Sequence, residues 1–294
     1  MELPLGRSLG ASRELVVKGK NLPATAGVPA AQGPAVRGEP RPDAFAVVLG
    51  VEEYSKAARV SHARRDAAAF RAFATGVLGV PDDAAHLFYL DDGVTLAELR
   101  KAFSPNGWLA RRVGPQSDVF VFYAGHGAPS LDGKSAYLVP QDGDPNYAVE
   151  TGFPIDDMLK ALDGSKARSA TVWLDACFSG ADRESRPLLA DARPLSVTVA
   201  PVVPPGKVAL FSAASGSQVS SAFPAKQHGL FTWFALRGLD GEADADKNGT
   251  LTAGELADFL GAQVPREAGA HDREQTPGFR GDRERTLARF RKTR

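Results

Sequence analysis

The chain carries one cysteine, Cys177, in the run Leu174-Asp175-Ala176-Cys177-Phe178-Ser179-Gly180, and a histidine, His126, in the run Tyr123-Ala124-Gly125-His126-Gly127. The two are 177 − 126 = 51 residues apart, a separation at which a histidine base precedes a cysteine nucleophile in one class of thiol enzymes. A thiol near its ordinary pKa of about 8.5 is mostly protonated at neutral pH, so attack on a carbonyl needs an imidazole beside it. Cys177 is therefore the candidate nucleophile and His126 the candidate base. Glycines in both loops, Gly125 and Gly127 around the histidine and Gly180 past the cysteine, let a peptide backbone approach and leave N–H groups available, which makes the amides of Gly127 and Cys177 candidate oxyanion donors. Taken alone, each residue would read as structural, a small buried hydrophobe and a turn histidine. Together, at the ends of two apolar segments, they point to nucleophilic catalysis.

Those segments, residues 119–123 and 171–174, are continuous apolar runs of the kind that form strands buried on both faces. In parallel α/β sheets the residues just past the carboxyl ends of strands converge on one crevice, so both reactive side chains are expected there. The surrounding pattern alternates strands and amphipathic helices. Residues 45–51 read as a first strand, and residues 62–78 as a helix presenting Ala67, Phe70, Phe73 and Val77 at helical spacing. Residues 86–90 read as a strand, 96–103 as a helix, 137–139 as a hairpin element and 155–162 as a helix. A strand beginning at Lys207 and a helix over 231–239 follow. The expected fold is an α/β three-layer sandwich, a mostly parallel sheet of about six strands with helices on both faces.

These runs resemble the caspase-like peptidases, and within them the bacterial orthocaspase and metacaspase branch. The resemblance is carried by Phe45-Ala46-Val47-Val48-Leu49-Gly50-Val51 with Tyr54, by Ala63-Arg64-Arg65-Asp66-Ala67, and by the histidine and cysteine loops. Further on, Ala209-Leu210-Phe211-Ser212-Ala213-Ala214 and His228-Gly229-Leu230-Phe231-Thr232 resemble the strand and helix of a small-subunit portion. Ala176 and Phe178 depart from the Ser and His that commonly flank a metacaspase nucleophile. Asp175 stands where animal caspases carry Gln. The resemblance implies a cysteine endopeptidase that cuts protein or peptide substrates after Arg or Lys through a thioester, with no cofactor required for the chemistry. It also implies that Asp66 and Asp175 read the basic side chain, with Ser212 a further substrate contact. Two carboxylates can accept a guanidinium fork and repel an acidic side chain. The competing reading makes Asp66 a helix N-terminal charge and Asp175 an acceptor for loop amides. A catalytically silent scaffold of the same fold is the alternative function. An α/β-hydrolase is disfavoured because Cys177 lacks the glycines of a Gly-x-nucleophile-x-Gly turn.

The expected organisation is a linker or the tail of an upstream module over residues 1–42 and a peptidase domain over 43–294. Within the domain, 43–180 form a large-subunit-like part, 181–206 an inter-subunit linker and 207–294 a small-subunit-like part. The linker contains Pro187, Pro194, Pro201, Pro204 and Pro205 together with Arg183, Arg186 and Arg193. These arginines are candidate autocleavage positions, against a plain solvated loop. Asp244, Asp246, Asn248, Thr250 and Glu255 follow the spacing of an EF-hand calcium loop, with Gly249 at the sharp turn. The same residues also suit a polar turn in which Thr252 and Glu255 form a helix capping box, with no metal.

The formal net charge is +0 and hydrophobic residues make up 43% of the chain, which suits one large domain and gives nothing to attract nucleic acid. No apolar run approaches the roughly 20 residues that span a bilayer, and the first residues lack a secretory signal pattern. A cytoplasmic location is the default expectation. Nothing in the sequence fixes an oligomeric state.

Overall fold

The computed structural model describes residues 33–130, 132–178, 183, 188, 202–215 and 218–291. The chain divides into Met1–Ala30 and Ala31–Arg294; the first unit lies outside the described residues, and the second carries everything below. It begins with β1 (Ala44–Gly50), α1 (Ala63–Gly76), β2 (Leu87–Leu90), α2 (Leu96–Phe103) and β3 (Asp118–Ala124). A small antiparallel sheet of β4 (Gly127–Pro129), β5 (Ala136–Leu138) and β6 (Phe153–Pro154) follows, with a short α3 (Ala148–Thr151) before its last strand. Then come α4 (Ile155–Gly164), β7 (Ser169–Asp175) and β8 (Val208–Ser212). The carboxyl-terminal part holds the hairpin of β9 (Ala222–Phe223) and β10 (His228–Gly229), then α5 (Leu230–Arg237), β11 (Thr250–Thr252), α6 (Ala253–Gly269), β12 (Gly278–Arg280) and β13 (Thr286–Arg289).

The main sheet has six strands in the order β12-β8-β7-β3-β1-β2. Every neighbouring pair is parallel except β12 with β8. The mostly parallel six-stranded sandwich expected from the sequence is the one observed. Residues 44–50 and 118–124 are buried at every position, because helices cover both faces. Alternate residues enter opposite layers. Ala46, Val48, Phe120, Phe122 and Trp173 pack with α1, α5 and α6, whereas Val47, Leu49, Val121, Val172 and Leu174 pack with α2 and α4. Phe70 stacks on Phe122 with ring centroids 4.4 Å apart, and Trp173 stacks on Phe211 at 5.4 Å. Burying each such side chain contributes on the order of 2–3 kcal/mol.

Helix starts follow local chemistry. Thr95 caps α2 by accepting the Glu98 N–H, and Thr252 and Glu255 form a reciprocal capping box on α6. Helix α6 runs on to Gly269 through Pro265, because Leu256, Leu260, Val264 and Ala268 bury one continuous face. Strands β12 and β13 were not expected from the sequence; Gly278-Phe279-Arg280 is too short for alternation to register.

At the amino ends of the strands, Asp118 clamps the sheet. Arg168 donates to both its oxygens at 2.8 and 2.7 Å, Ser169 Oγ at 2.7 Å and Arg41 at 3.3 Å. Burial opposes its charge, but the Arg168 and Ser169 hydrogen bonds and the Arg41 charge hold its carboxyl below the usual range. Among the described residues no helix is long and apolar enough to cross a membrane.

Candidate active site

Strands β3 and β7 pair in parallel with Ala124 opposite Asp175. His126 and Cys177 each lie two residues beyond that pair, so the sheet register carries the two loops to the same edge. The loops touch: a Cβ on Gly127 would stand 2.7 Å from the Cys177 carbonyl oxygen and closer still to the Phe178 ring. Only glycine fits there.

The imidazole of His126 is buried, and its Nε2 lies 2.7 Å from the Ala58 carbonyl. A carbonyl only accepts, so Nε2 carries a proton and the neutral ring keeps its lone pair on Nδ1, the arrangement a base requires. The His126 backbone N–H donates to the Tyr54 hydroxyl at 2.7 Å, and the two rings lie 4.7 Å apart. The Tyr123 hydroxyl is 2.8 Å from the carbonyls of His126 and Val139. Burial raises the pKa of both phenols, so each keeps its proton. In the β4–β5 hairpin, Val139 N–H donates to the His126 carbonyl and Ser130 N–H to the Ser135 carbonyl. Bonded and non-bonded pairs alternate along antiparallel strands. Gly127, opposite Leu138, therefore directs its N–H away from β5. The Cys177 sulfur is buried and accepts the Ser220 N–H at 2.8 Å, a contact that stabilises negative charge on the sulfur.

Beside the thiol lie two buried carboxylates. Asp66, in the first turn of α1, and Asp175, the last residue of β7, are both 0% exposed. Asp175 accepts the hydroxyls of Ser220 and Thr232, each at 2.5 Å. Asp66 accepts the Gly229 N–H at 3.1 Å and faces His228 Nδ1 at 2.7 Å. Between the carboxylates lies the guanidinium of Arg183, 2% exposed. Its Nη1 donates to Asp66 Oδ2 at 3.2 Å and to the Ser61 carbonyl at 2.8 Å, and its Nη2 is 3.1 Å from Asp175 Oδ1. That last contact is an ion pair without hydrogen-bond geometry. Burial acts to lower the Arg183 pKa, but the charges of Asp175, Asp66 and Cys177 outweigh it and raise the value. A Cβ on Gly229 would lie 3.0 Å from Nη2 and closer to Asp175 Oδ2, so bare backbone packs against the guanidinium and its acid.

The structure thus brings Asp66 and Asp175 onto one guanidinium and the His126 and Cys177 loops into contact. Arg183, expected in an exposed linker, is buried instead, because two buried carboxylates require a counter-charge. Arg186 and Arg193 lie outside the described residues. Ser212 ends β8 opposite Gly278, with its hydroxyl packed towards that glycine. In the acidic loop, Asp244, Asp246 and Glu255 each bring a carboxylate oxygen within 4.8 Å of the others. Asp244 Oδ2 accepts the Gly249 N–H at 3.0 Å, Asp246 the Asn248 N–H at 3.1 Å, and Asn248 Oδ1 the Thr250 N–H at 2.7 Å. Glu255 also serves the capping box of α6, so the turn described by the competing reading is present. Sequence reasoning missed Ser220, Thr232, His228 and Ala58 as site residues. Hydroxyls and carbonyls carry no motif; Ser220 and Thr232 reach Asp175 from 45 and 57 residues away. A cavity of about 690 Å³ between α2 and α4, lined by Leu96, Phe103, Leu109 and Phe153, includes none of these residues.

The family model of the caspase domain matches residues 43–286. Among solved structures, the chain is similar to caspase-1 from Spodoptera frugiperda, with a TM-score of 0.57, 13% identity, and 85% of this chain and 93% of that one covered. It is also similar to a protein from Geobacter sulfurreducens, with a TM-score of 0.55, 17% identity, and 82% and 94% covered. At these identities the likeness is one of fold. No curated protein sequence matches the chain.

Proposed function

The chain belongs to the caspase family of cysteine peptidases, and on that premise we propose that it hydrolyses peptide bonds on the carboxyl side of Arg or Lys, as the metacaspase-like branch does. Cys177 attacks the scissile carbonyl carbon. The tetrahedral oxyanion is held by the amides of Gly127 and Cys177. His126 takes the thiol proton and gives it to the departing amine, leaving a thioester. Water, deprotonated by His126, attacks the thioester and returns the thiol. The hydrogen bond from Nε2 to the Ala58 carbonyl supports this role, since it keeps the lone pair on Nδ1 and steadies the imidazolium as it forms.

One observation carries the specificity: a guanidinium already lies between Asp66 and Asp175, next to the nucleophile. A pocket that takes one guanidinium has the charge, depth and acceptors for another, and a carboxylate side chain would meet like charge there. We extend the proposal to self-cleavage within 181–206, where Arg186 and Arg193 stand next to proline-punctuated chain.

Reporter peptides ending in Arg, Lys or Asp test the reading. Arg and Lys reporters are turned over and the Asp reporter is not; Cys177→Ala and His126→Ala each abolish turnover, and their effects do not add. Asp66→Asn lowers kcat/KM for the arginyl reporter at least about tenfold. Turnover of the aspartyl reporter at the arginyl rate would refute the specificity, and turnover by Cys177→Ala the mechanism. Intact mass of the wild type, compared with Cys177→Ala, reads self-cleavage directly.

A further inference from the structure

We propose that Arg183 is a built-in occupant of the basic pocket, a residue that competes with the substrate's own basic side chain and sets the affinity that side chain must exceed. The inference rests on the reading of Asp66 and Asp175 as the Arg or Lys pocket. Its evidence is the mismatch between the two ends of Arg183. The side chain sits as a bound ligand would, with Nη1 on Asp66 and the Ser61 carbonyl and Nη2 against Asp175. The backbone oxygen is engaged by a side chain from another element.

A residue about to be cleaved places its carbonyl carbon about 3–3.5 Å from the sulfur, with its oxygen between the oxyanion donors. The carbonyl oxygen of Arg183 instead accepts a hydrogen bond from Arg273 Nη1 at 3.2 Å, from the segment that follows α6. Arg183 therefore fills the pocket with its carbonyl oxygen held by Arg273. It acts as an occupant and not as a cleavage position, which separates it from Arg186 and Arg193.

The grip on the guanidinium is incomplete. Nε and Nη2 have no hydrogen-bond partner among the described residues, and only Nη1 donates within the pocket. A guanidinium arriving from a separate chain is free to adopt the two-pronged geometry that gives the strongest carboxylate pairing, so exchange is favourable once substrate is abundant. Apparent affinity for substrate is then the intrinsic affinity reduced by the fraction of molecules in which Arg183 is out. Arg273 acts on that fraction from outside the pocket.

Agmatine, a free guanidinium, is the probe, titrated by calorimetry into the full chain carrying Cys177→Ala so that no cleavage intervenes. Adding Arg183→Ala is expected to tighten agmatine binding at least about tenfold, the gain for a pocket open about a tenth of the time. Adding Arg273→Ala instead, which leaves both carboxylates paired, tightens it by a smaller factor. In the active protein the same substitutions lower KM for the arginyl reporter. Equal agmatine affinity with and without Arg183 overturns the inference while leaving the basic pocket intact. Should Arg183→Ala fail to fold, an unchanged affinity in Arg273→Ala overturns it. No agmatine binding to any variant, with the arginyl reporter left uncut, overturns the pocket reading and this one with it. A cut after Arg183 in the wild type, read by intact mass, makes it a cleavage position and refutes the proposal.

Discussion

Replacing Gly127 by alanine tests how tightly the two catalytic loops are coupled. The added Cβ would stand 2.7 Å from the Cys177 carbonyl oxygen, against an ordinary contact of 3.4 Å or more. Relief requires a separation of at least 3.4 − 2.7 = 0.7 Å between that carbonyl and residue 127. The Phe178 ring, which the Cβ also meets, can turn aside about its own bonds. The carbonyl cannot, because it belongs to the nucleophile's backbone. A displacement near 1 Å in a catalytic group costs on the order of 100-fold in rate, or about 2.7 kcal/mol in the barrier. The fold suffers less: overpacking of this kind costs roughly 1–3 kcal/mol, a melting shift of several degrees. The assay is kcat/KM on the arginyl reporter beside a calorimetric melt, for Gly127→Ala and for Gly127→Ala with Phe178→Ala. The second variant should regain much of the melting temperature and little of the activity. Wild-type kcat/KM in Gly127→Ala, or full recovery of activity on shrinking Phe178, would refute the reasoning.

Two further outcomes are expected. Asp118 is held below the usual carboxylate range in the folded protein, so its contribution is present above the unfolded carboxyl pKa of about 3.9 and is lost as pH falls through the lower folded value. Asp118→Asn therefore lowers the melting temperature at pH 7 and flattens its fall below about pH 4; a curve parallel to wild type in that range would remove Asp118 from the acid transition. We also propose that the loop of Asp244, Asp246, Asn248, Thr250 and Glu255 takes calcium, since Asp244 Oδ1 is buried without a hydrogen-bond partner among the described residues. Calcium at about ten times Kd would stabilise by about 1.4 kcal/mol, a melting shift that chelator reverses and Asp244→Asn removes. An unchanged melt at millimolar calcium leaves the loop as the capping turn of α6.

The parts legible in the sequence are those whose physics is local or repeats along the chain. Unbroken apolar runs marked β1, β3 and β7, helical spacing marked α1, and the glycines at 125, 127 and 180 marked the two loops. Strand β12 was silent, because an edge strand of three residues buries too little to show alternation. The length of helix α6 is obscured in the sequence by Pro265, whose local cost is overridden by packing with α5. The acidic pair was named from residue types. Its partners were not legible: the hydroxyls of Ser220 and Thr232 and the carbonyl of Ala58 resemble any others until the fold aims them. The burial of Arg183 was legible least of all, because its charge, six residues past the nucleophile in a proline-rich stretch, reads locally as a solvated side chain.

The contact between Asp66 and the Gly229 amide joins positions 163 residues apart. Loop-closure entropy makes such contacts form late, after the local elements and their nearest neighbours have docked. During synthesis the chain emerges amino end first, so a nascent protein already holds its imidazole and its thiol while the floor of the acidic pocket has yet to be made. On the proposed reading, the unfinished polypeptide then holds its thiol and both carboxylates but lacks the backbone that bounds the basic site. Selection of a basic side chain thus depends, on that reading, on the carboxyl-terminal part having folded, and a chain stalled before residue 229 would lack the amide that Asp66 accepts.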